Sequence, residues 1–428
     1  MGILRLAPST ALKRRILGDL DFAAVLMFVF MLPWGDIVLI PGIGTLSRAA
    51  GVLLLAASIL SFARGARPRV DLVHVLLFVF VGWAALSLLW TDSPGLGRVR
   101  LFTLVQLLIM VWLVFQWTRT PRQLDAVLVA YVAGAAIATG AVLASLALGE
   151  EFSTGRYSAP NYNPNDLAYN LALAIPMALH LFFFVGGRRR AVFAAFVPLA
   201  FLAILLTGSR SGLAIAVIGL GCILPQVAVS KAAASRLAIG IAIAIGVFAM
   251  VAASVSDTLL SRLLAWNQLT SGNYVRVEIL RSGLSAAGDS VFIGDGLGAF
   301  SDTVRPIIAQ INPVLSSRLD DILIGDVLSG HNAYLELLVE IGLLGVVLFC
   351  CALLLSVWRV MRMSCPFCWL WRILLLDVCL IFFASSWIWY KQPWLILSLI
   401  AVAARISVPG RGAPTTGSSA QEPGTAPQ

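Results

Sequence analysis

Charge is scarce in this sequence. Only 12% of its 428 residues are Asp, Glu, Lys or Arg, against roughly 25% in soluble domains, and 60% are hydrophobic. Long apolar runs recur from Leu20 to Ile406, more than a water-soluble fold of this length can bury, so a soluble globular protein is excluded. Histidine is rarer still, with His74, His180 and His331 alone. The six cysteines fall in apolar runs or in connections expected in the cytoplasm, and none in the longest polar stretch, 256–331, which argues against a disulfide framework. Cys365 and Cys368 form a lone C-x-x-C with no further ligand nearby, so neither a metal nor a redox role is expected. No cleavage pattern follows the first apolar run, so Leu20 onward reads as a retained helix. The net charge of +9 does not indicate nucleic acid, because most basic residues sit in short connections between apolar runs, where they set topology.

What is present is a series of hydrophobic segments, read as helices near 20–40, 45–63, 71–90, 99–117, 122–148, 165–186, 191–206, 211–229, 235–255, 332–357, 371–390 and 392–406. The expected fold is all-α: a polytopic membrane protein of about 12 transmembrane helices. With the N-terminus inside, nineteen of the 30 Lys and Arg flank the inner ends, among them Lys13, Arg14, Arg15 and Arg188 to Arg190. Six flank the short outer segments: Arg48, Arg98, Arg100, Arg156, Arg210 and Lys391. The remaining five lie in the loop 256–331, which is too long for the rule to apply. Both termini are therefore expected in the cytoplasm. The order is a cytoplasmic N-terminus (1–19), a helical bundle (20–255), a large outer loop containing helices (256–331), C-terminal spans (332–406) and a Gly-, Pro-, Ser- and Thr-rich tail (407–428) expected to be disordered.

This orientation gathers nearly all the unusual polar sequence on the outer face. The segment Gly155 to Asp166 is polar, aromatic and interrupted by Pro160 and Pro164; Asn165 and Asp166 read either as helix caps or as site residues. Thr207-Gly208-Ser209-Arg210-Ser211-Gly212 joins two apolar runs with almost no linker. A charged side chain so close to hydrocarbon is costly and tends to be functional. Small neighbours leave backbone N–H groups open, Ser211 is placed to cap the next helix, and the guanidinium suits an anion, above all a phosphate. Snorkelling of Arg210 to lipid headgroups is the plainer alternative. In the outer loop, Arg276 lies on a helical pattern with Val277, Leu280 and Leu284, and either gives a second contact to a phosphate or pairs with an acid and ties the loop down.

His331 stands at the outer start of a helix, in Ser329-Gly330-His331-Asn332, where an imidazole can take a proton from a hydroxyl at neutral pH. His74 and His180 lie inside apolar runs and read as packing residues. Glu336 and Glu340, four apart, share a helix face and either orient neighbours or pair with an arginine. Asp320, Asp321 and Asp326 lack a cation-loop spacing, and no metal is expected. Ile293-Gly294-Asp295-Gly296-Leu297-Gly298 has the wrong spacing for a dinucleotide fingerprint.

Taken together, Arg156 to Ala168 with its Asn-Pro-Asn-Asp, Gly208-Ser209-Arg210-Ser211-Gly212, Arg276-x3-Leu280, and His331-Asn332 leading into Glu340-x-Gly342 resemble the O-antigen ligase and polymerase superfamily of bacterial membrane glycosyltransferases. The resemblance implies a GT-C-like membrane fold in the bacterial inner membrane with its active site facing the periplasm. It implies a glycan donor on a polyprenyl (undecaprenyl) diphosphate carrier, and transfer to a hydroxyl with inversion and without cofactor or metal. The acceptor would be a lipid A core sugar in a ligase, a second carrier-linked repeat in a polymerase, and protein in some relatives. It casts His331 as catalytic, with Arg210, Arg276 and Arg156 on the diphosphate and Asn332, Asn165, Asp166, Ser209, Ser211, Glu336 and Glu340 in support. A transporter is the rival class; neither an internal repeat nor a pair of broken helices is visible in its favour.

Overall fold

In lipid, backbone polar groups must be satisfied within the segment, and the apolar runs accordingly form helices. A computed structural model describes residues 10–153, 155–184, 189–227, 272–322, 327–363 and 368–407. Its helices are α1 (Thr10–Met31), α2 (Leu46–Ala63), α3 (Leu72–Leu86), α4 (Pro94–Trp117), α5 (Pro121–Leu148), α6 (Pro164–Phe184), α7 (Arg189–Leu206), α8 (Arg210–Val227), α9 (Gly272–Asp289), α10 (Phe300–Ile311), α11 (Pro313–Ile322), α12 (Ala333–Arg362), α13 (Cys368–Ala384) and α14 (Lys391–Ser407). Proline opens α4, α5 and α6, where its missing N–H costs nothing. Asp71 and Thr120 form capping boxes with His74 and Gln123 at the starts of α3 and α5.

Among the described residues, six helices are long and apolar enough to cross a membrane, namely α2 to α6 and α12, with shorter apolar helices at Leu20–Met31, Arg190–Leu206 and Arg210–Ile223. The protein is an all-α polytopic membrane protein. Every expected span except one falls on a helix; 235–255 lies outside the described residues, as do Cys365, Asp326 and the tail from 408. The first span is displaced: α1 ends at Met31, and 32–45 turns through a small antiparallel pair, Leu39–Ile40 with Gly44–Thr45. Cys368 is disulfide-bonded, contrary to the expectation from sequence, at the end of the bundle away from the large loop.

One continuous core joins α1 to α8 with α12, α13 and α14. Contacts between loops define two ends. At one, Asn161 reaches the Ile37 carbonyl, Gln392 the Leu32 carbonyl and Arg156 the Thr207 carbonyl. At the other, Arg359 forks onto Asp71 at 2.6 and 3.0 Å, and Ser61 donates to Asp21. The large loop caps the first end. Its helices α9, α10 and α11 share a second, smaller core in which Ile279, Phe300, Val304 and Ile308 pack against Leu335 and Val339 of α12.

α12 is not the continuous helix that its hydropathy suggests. Gly342 has φ 67° and ψ −175°, and the helix breaks there. The glycine-rich stretch fills the break: Asp295 N donates to Val339 O (2.9 Å) and Gly296 N to Glu340 O (2.7 Å), while Leu343 N donates to Val291 O (2.7 Å) and Leu344 N to Phe292 O (3.2 Å). The indole of Trp83 takes the Ile341 carbonyl at 2.9 Å. Polar groups that would cost several kcal/mol each in hydrocarbon are thus paired. Only glycine suits residue 342, since a Cβ would stand 2.4 Å from the Phe292 carbonyl. The sequence showed no pair of broken helices; α12 has this one break, and the loop pairs with its backbone.

Candidate functional site

The capped end gathers the residues singled out by sequence. Asn163, not Asn165 or Asp166, caps α6: its side chain accepts from Asn165 N at 2.9 Å and its carbonyl from Leu167 N. That releases the next two side chains. Asn165 Oδ1 accepts from Arg156 Nη2 at 2.9 Å, and Arg156 Nε donates to Thr207 O at 2.7 Å, so the guanidinium ties the 155–163 segment to the turn before α8. Asp166 accepts from Trp387 Nε1 and from the Tyr390 hydroxyl, both at 2.8 Å.

The turn at 207–212 departs from expectation in one detail. Ser209, not Ser211, caps α8, accepting from Gly212 N at 3.3 Å. Ser211 instead shares a 2.7 Å hydrogen bond with the Tyr169 hydroxyl. Arg210 is the first residue of α8 and half-buried. A Cβ at Gly212 would meet Ala168 at 2.5 Å, so α6 and α8 approach closely just below the arginine.

Tyr169 is the hub of the cluster. Its phenol feels the charges of Arg276, Asp166 and Arg156. Its ring meets Trp387 edge-on at 5.2 Å, and Trp387 stacks on Tyr390 at 5.3 Å. Arg276 is half-buried on α9, and its charge acts on Tyr169 and on His331.

The charges of Arg276 and Glu336 both act on His331, in opposite senses. It adopts φ 49°, in the left-handed region that residues with a Cβ rarely enter. Its neighbours enforce this. Asn332 caps α12, accepting from Leu335 N at 3.0 Å. Glu336 Oε1 accepts from Gly330 N at 2.7 Å and from Ser386 Oγ at 2.6 Å, and Oε2 from Trp389 Nε1 at 2.9 Å. A side chain at Gly330 would collide with Glu336 and Phe300. Burial, reinforced by the Arg276 charge, pushes the imidazole down to about 4 against the opposing pull of Glu336. It is therefore neutral at pH 7, with a nitrogen lone pair able to accept a proton.

Glu340 carries a partner that the sequence did not single out. Arg100 of α4 pairs with its Oε1 and lies over the Trp389 ring, 4.8 Å from the centroid. Trp389 in turn holds Glu336. Arg100 therefore belongs to the support of His331, although by sequence it is one more basic residue at an outer flank. The corner Ser386 to Tyr390 was missed for a similar reason, since tryptophan and tyrosine beside an apolar run read as an interfacial belt. His74 and His180 are also more engaged than expected. His74 Nδ1 accepts from Asp71 N at 3.1 Å, and His180 lies 3.6 Å from the Asp125 carboxylate, both at the far end.

Residues 194–350 match the family model for the O-antigen ligase domain. Over that stretch the chain is similar to the O-antigen ligase family. The match takes in Arg210, Arg276, His331, Asn332, Glu336 and Glu340, while Arg156, Asn165 and Asp166 precede it. No curated protein matches the chain. The matched stretch takes in both the turn at Arg210 and the cap bearing Arg276, whose charge acts on Tyr169 and on His331.

Proposed function

We propose that this O-antigen ligase-like protein transfers a glycan from a polyprenyl diphosphate carrier to a hydroxyl acceptor, a lipid A core sugar, at the periplasmic face of the bacterial inner membrane. The observation that carries the proposal is a neutral His331, its backbone fixed between Gly330 and the Asn332 cap, within the field of Arg276 at the end of the bundle where α8 starts with Arg210. A diphosphate needs fixed positive charge, and departure of the carrier concentrates further charge on it. Arg210 and Arg276 supply bidentate donors from two different elements, and Arg156 holds the turn that presents Arg210.

In the reaction, the acceptor oxygen attacks the anomeric carbon as its proton passes to the free imidazole nitrogen of His331. The bond from that carbon to the diphosphate oxygen breaks on the opposite face, and the electron pair leaves with the carrier diphosphate. The anomeric centre inverts. The proton on His331 is lost to solvent or to the departing diphosphate. A positioned base typically contributes ~10²–10⁴-fold in rate, and the diphosphate is already a good leaving group. Burial is the main cause of the depressed imidazole pKa; binding of negative charge at Arg276 offsets the smaller part that this arginine contributes, so the base strengthens when the donor is in place. Lipopolysaccharide banding of a deletion strain tests the acceptor. Loss of all capped chains with accumulation of carrier-linked polymer supports ligation; a single-repeat band shows a polymerase instead.

A further inference from the structure

At the end of the bundle away from His331, three arginines converge on the last turn of α4. Arg405 of α14 donates through Nη2 to the Thr118 carbonyl and lies 4.2 Å from the centre of the Phe115 ring. Arg119 donates through Nε to the Gln116 carbonyl at 3.1 Å and lies 4.9 Å from the centre of Trp117. Arg69 is brought beside them by its backbone: its N–H donates to Gln116 Oε1 at 2.8 Å, its carbonyl accepts from Trp112 Nε1 at 2.9 Å, and Gln116 Nε2 holds the Arg67 carbonyl at 2.9 Å. The three charges act on one another, Arg69 and Arg119 on Arg405 and Arg69 on Arg119.

A helix C-terminus attracts a cation, but it carries only about half an elementary charge. Three guanidinium groups exceed that. Two acids act on the cluster, Asp21 on Arg119 and Asp71 on Arg405, but Asp71 is already forked by Arg359, so Asp21 alone offsets the three charges. Arg405 also keeps its Nη1 buried without a hydrogen-bond partner. A buried donor facing two like charges is a costly arrangement for a structure to keep with nothing bound.

We propose that Arg69, Arg119 and Arg405 form a binding site for the phosphate of an anionic membrane lipid. The ligand chemistry is a phosphate oxyanion, which takes Arg405 Nη1 as donor and the forks of Arg69 and Arg119 from the side. A lipid is the source because the site stands where α4 and α14 both leave the apolar bundle, at headgroup depth for a membrane-spanning helix pair. The aromatic faces of Phe115, Trp117 and Trp112 border it on the bundle side.

The test uses the full-length protein in nanodiscs of phosphatidylcholine with one-fifth phosphatidylglycerol, with retained lipid counted by native mass spectrometry. The wild type should hold phosphatidylglycerol in preference to phosphatidylcholine. Removing each arginine should weaken that retention about fivefold. Arg69→Gln is the safest variant, since Arg69 is exposed; Arg405→Gln, which also uncaps α4, is checked by thermal unfolding, with Arg405→Lys beside it. Arg64→Gln, exposed at the same end, should leave retention unchanged. Equal loss in Arg64→Gln, or none in Arg69→Gln and Arg405→Lys, overturns the site. If millimolar inorganic phosphate binds in an Arg69-dependent way while phosphatidylglycerol is not retained, the lipid assignment fails and a free phosphate is the ligand.

Discussion

His331 was conspicuous in sequence because it is the sole histidine outside an apolar run. Its left-handed backbone and its support could not be read there, since Glu336, Ser386 and Trp389 come together only in three dimensions. Its depressed pKa gives a pH signature. The neutral form is the base, so activity is present above the pKa and lost as pH falls through it. For kcat/KM, which reports the free enzyme, the acid limb should lie near 4. For kcat, which reports the donor complex, it should lie higher, because the diphosphate offsets Arg276. Coincident limbs in the two profiles would contradict the coupling between donor and base. The arginines give a second expectation. Arg210→Lys and Arg276→Lys keep the charge but lose the fork, and each should lower transfer about tenfold or more. Normal rates in both, measured with saturating acceptor, would remove them from the diphosphate.

Hydropathy located the described helices, because apolar runs in lipid must form them, while six of those helices are long and apolar enough to cross a membrane. It missed the break in α12, because apart from Glu340 the stretch Leu337 to Leu348 is apolar on both sides of Gly342 and a glycine in a transmembrane helix attracts no notice. The partner segment Val291 to Gly298 was legible only as what it is not, a nucleotide loop. Its glycines serve close backbone packing, as at Gly298, where a Cβ would stand 2.5 Å from Gly97 N. Gly342→Ala should therefore unfold the seam, lowering stability by about 1–3 kcal/mol from backbone strain alone, with more from overlap. Thermal unfolding in detergent, together with hydrogen exchange at 339–344, reads this; an unchanged melting temperature with protected amides would refute the seam. Arg100 offers a second element-scale test. Arg100→Ala strands a buried carboxylate and should cost about 3–5 kcal/mol, while Arg100→Ala combined with Glu340→Gln should recover part of that loss. Equal stability in the single and double variants would mean that Arg100 does not hold the α4 and α12 contact through Glu340.

At the scale of the whole molecule, the bundle has two chemically different ends. One carries the capped cluster around Tyr169 and His331, the other a collar of arginines, and the excess of basic residues predicts that the collar is cytoplasmic. Single cysteines at Pro160, Asn163 and Ile311, all exposed at the capped end, should react with an impermeant thiol reagent applied from the periplasm, whereas cysteines at Arg64 and Thr120 should not. Ser209 and Phe300 belong to the same end but are buried and would report poorly. The reversed pattern would turn the site toward the cytoplasm. The most direct measurement of the central claim is transfer by the purified protein from a carrier-linked glycan to a hydroxyl acceptor, with donor binding followed in the same preparation. His331→Gln, whose amide can hydrogen-bond but cannot take the proton, should bind donor as the wild type does and transfer ~10²–10⁴-fold more slowly. Full transfer by His331→Gln would contradict the account.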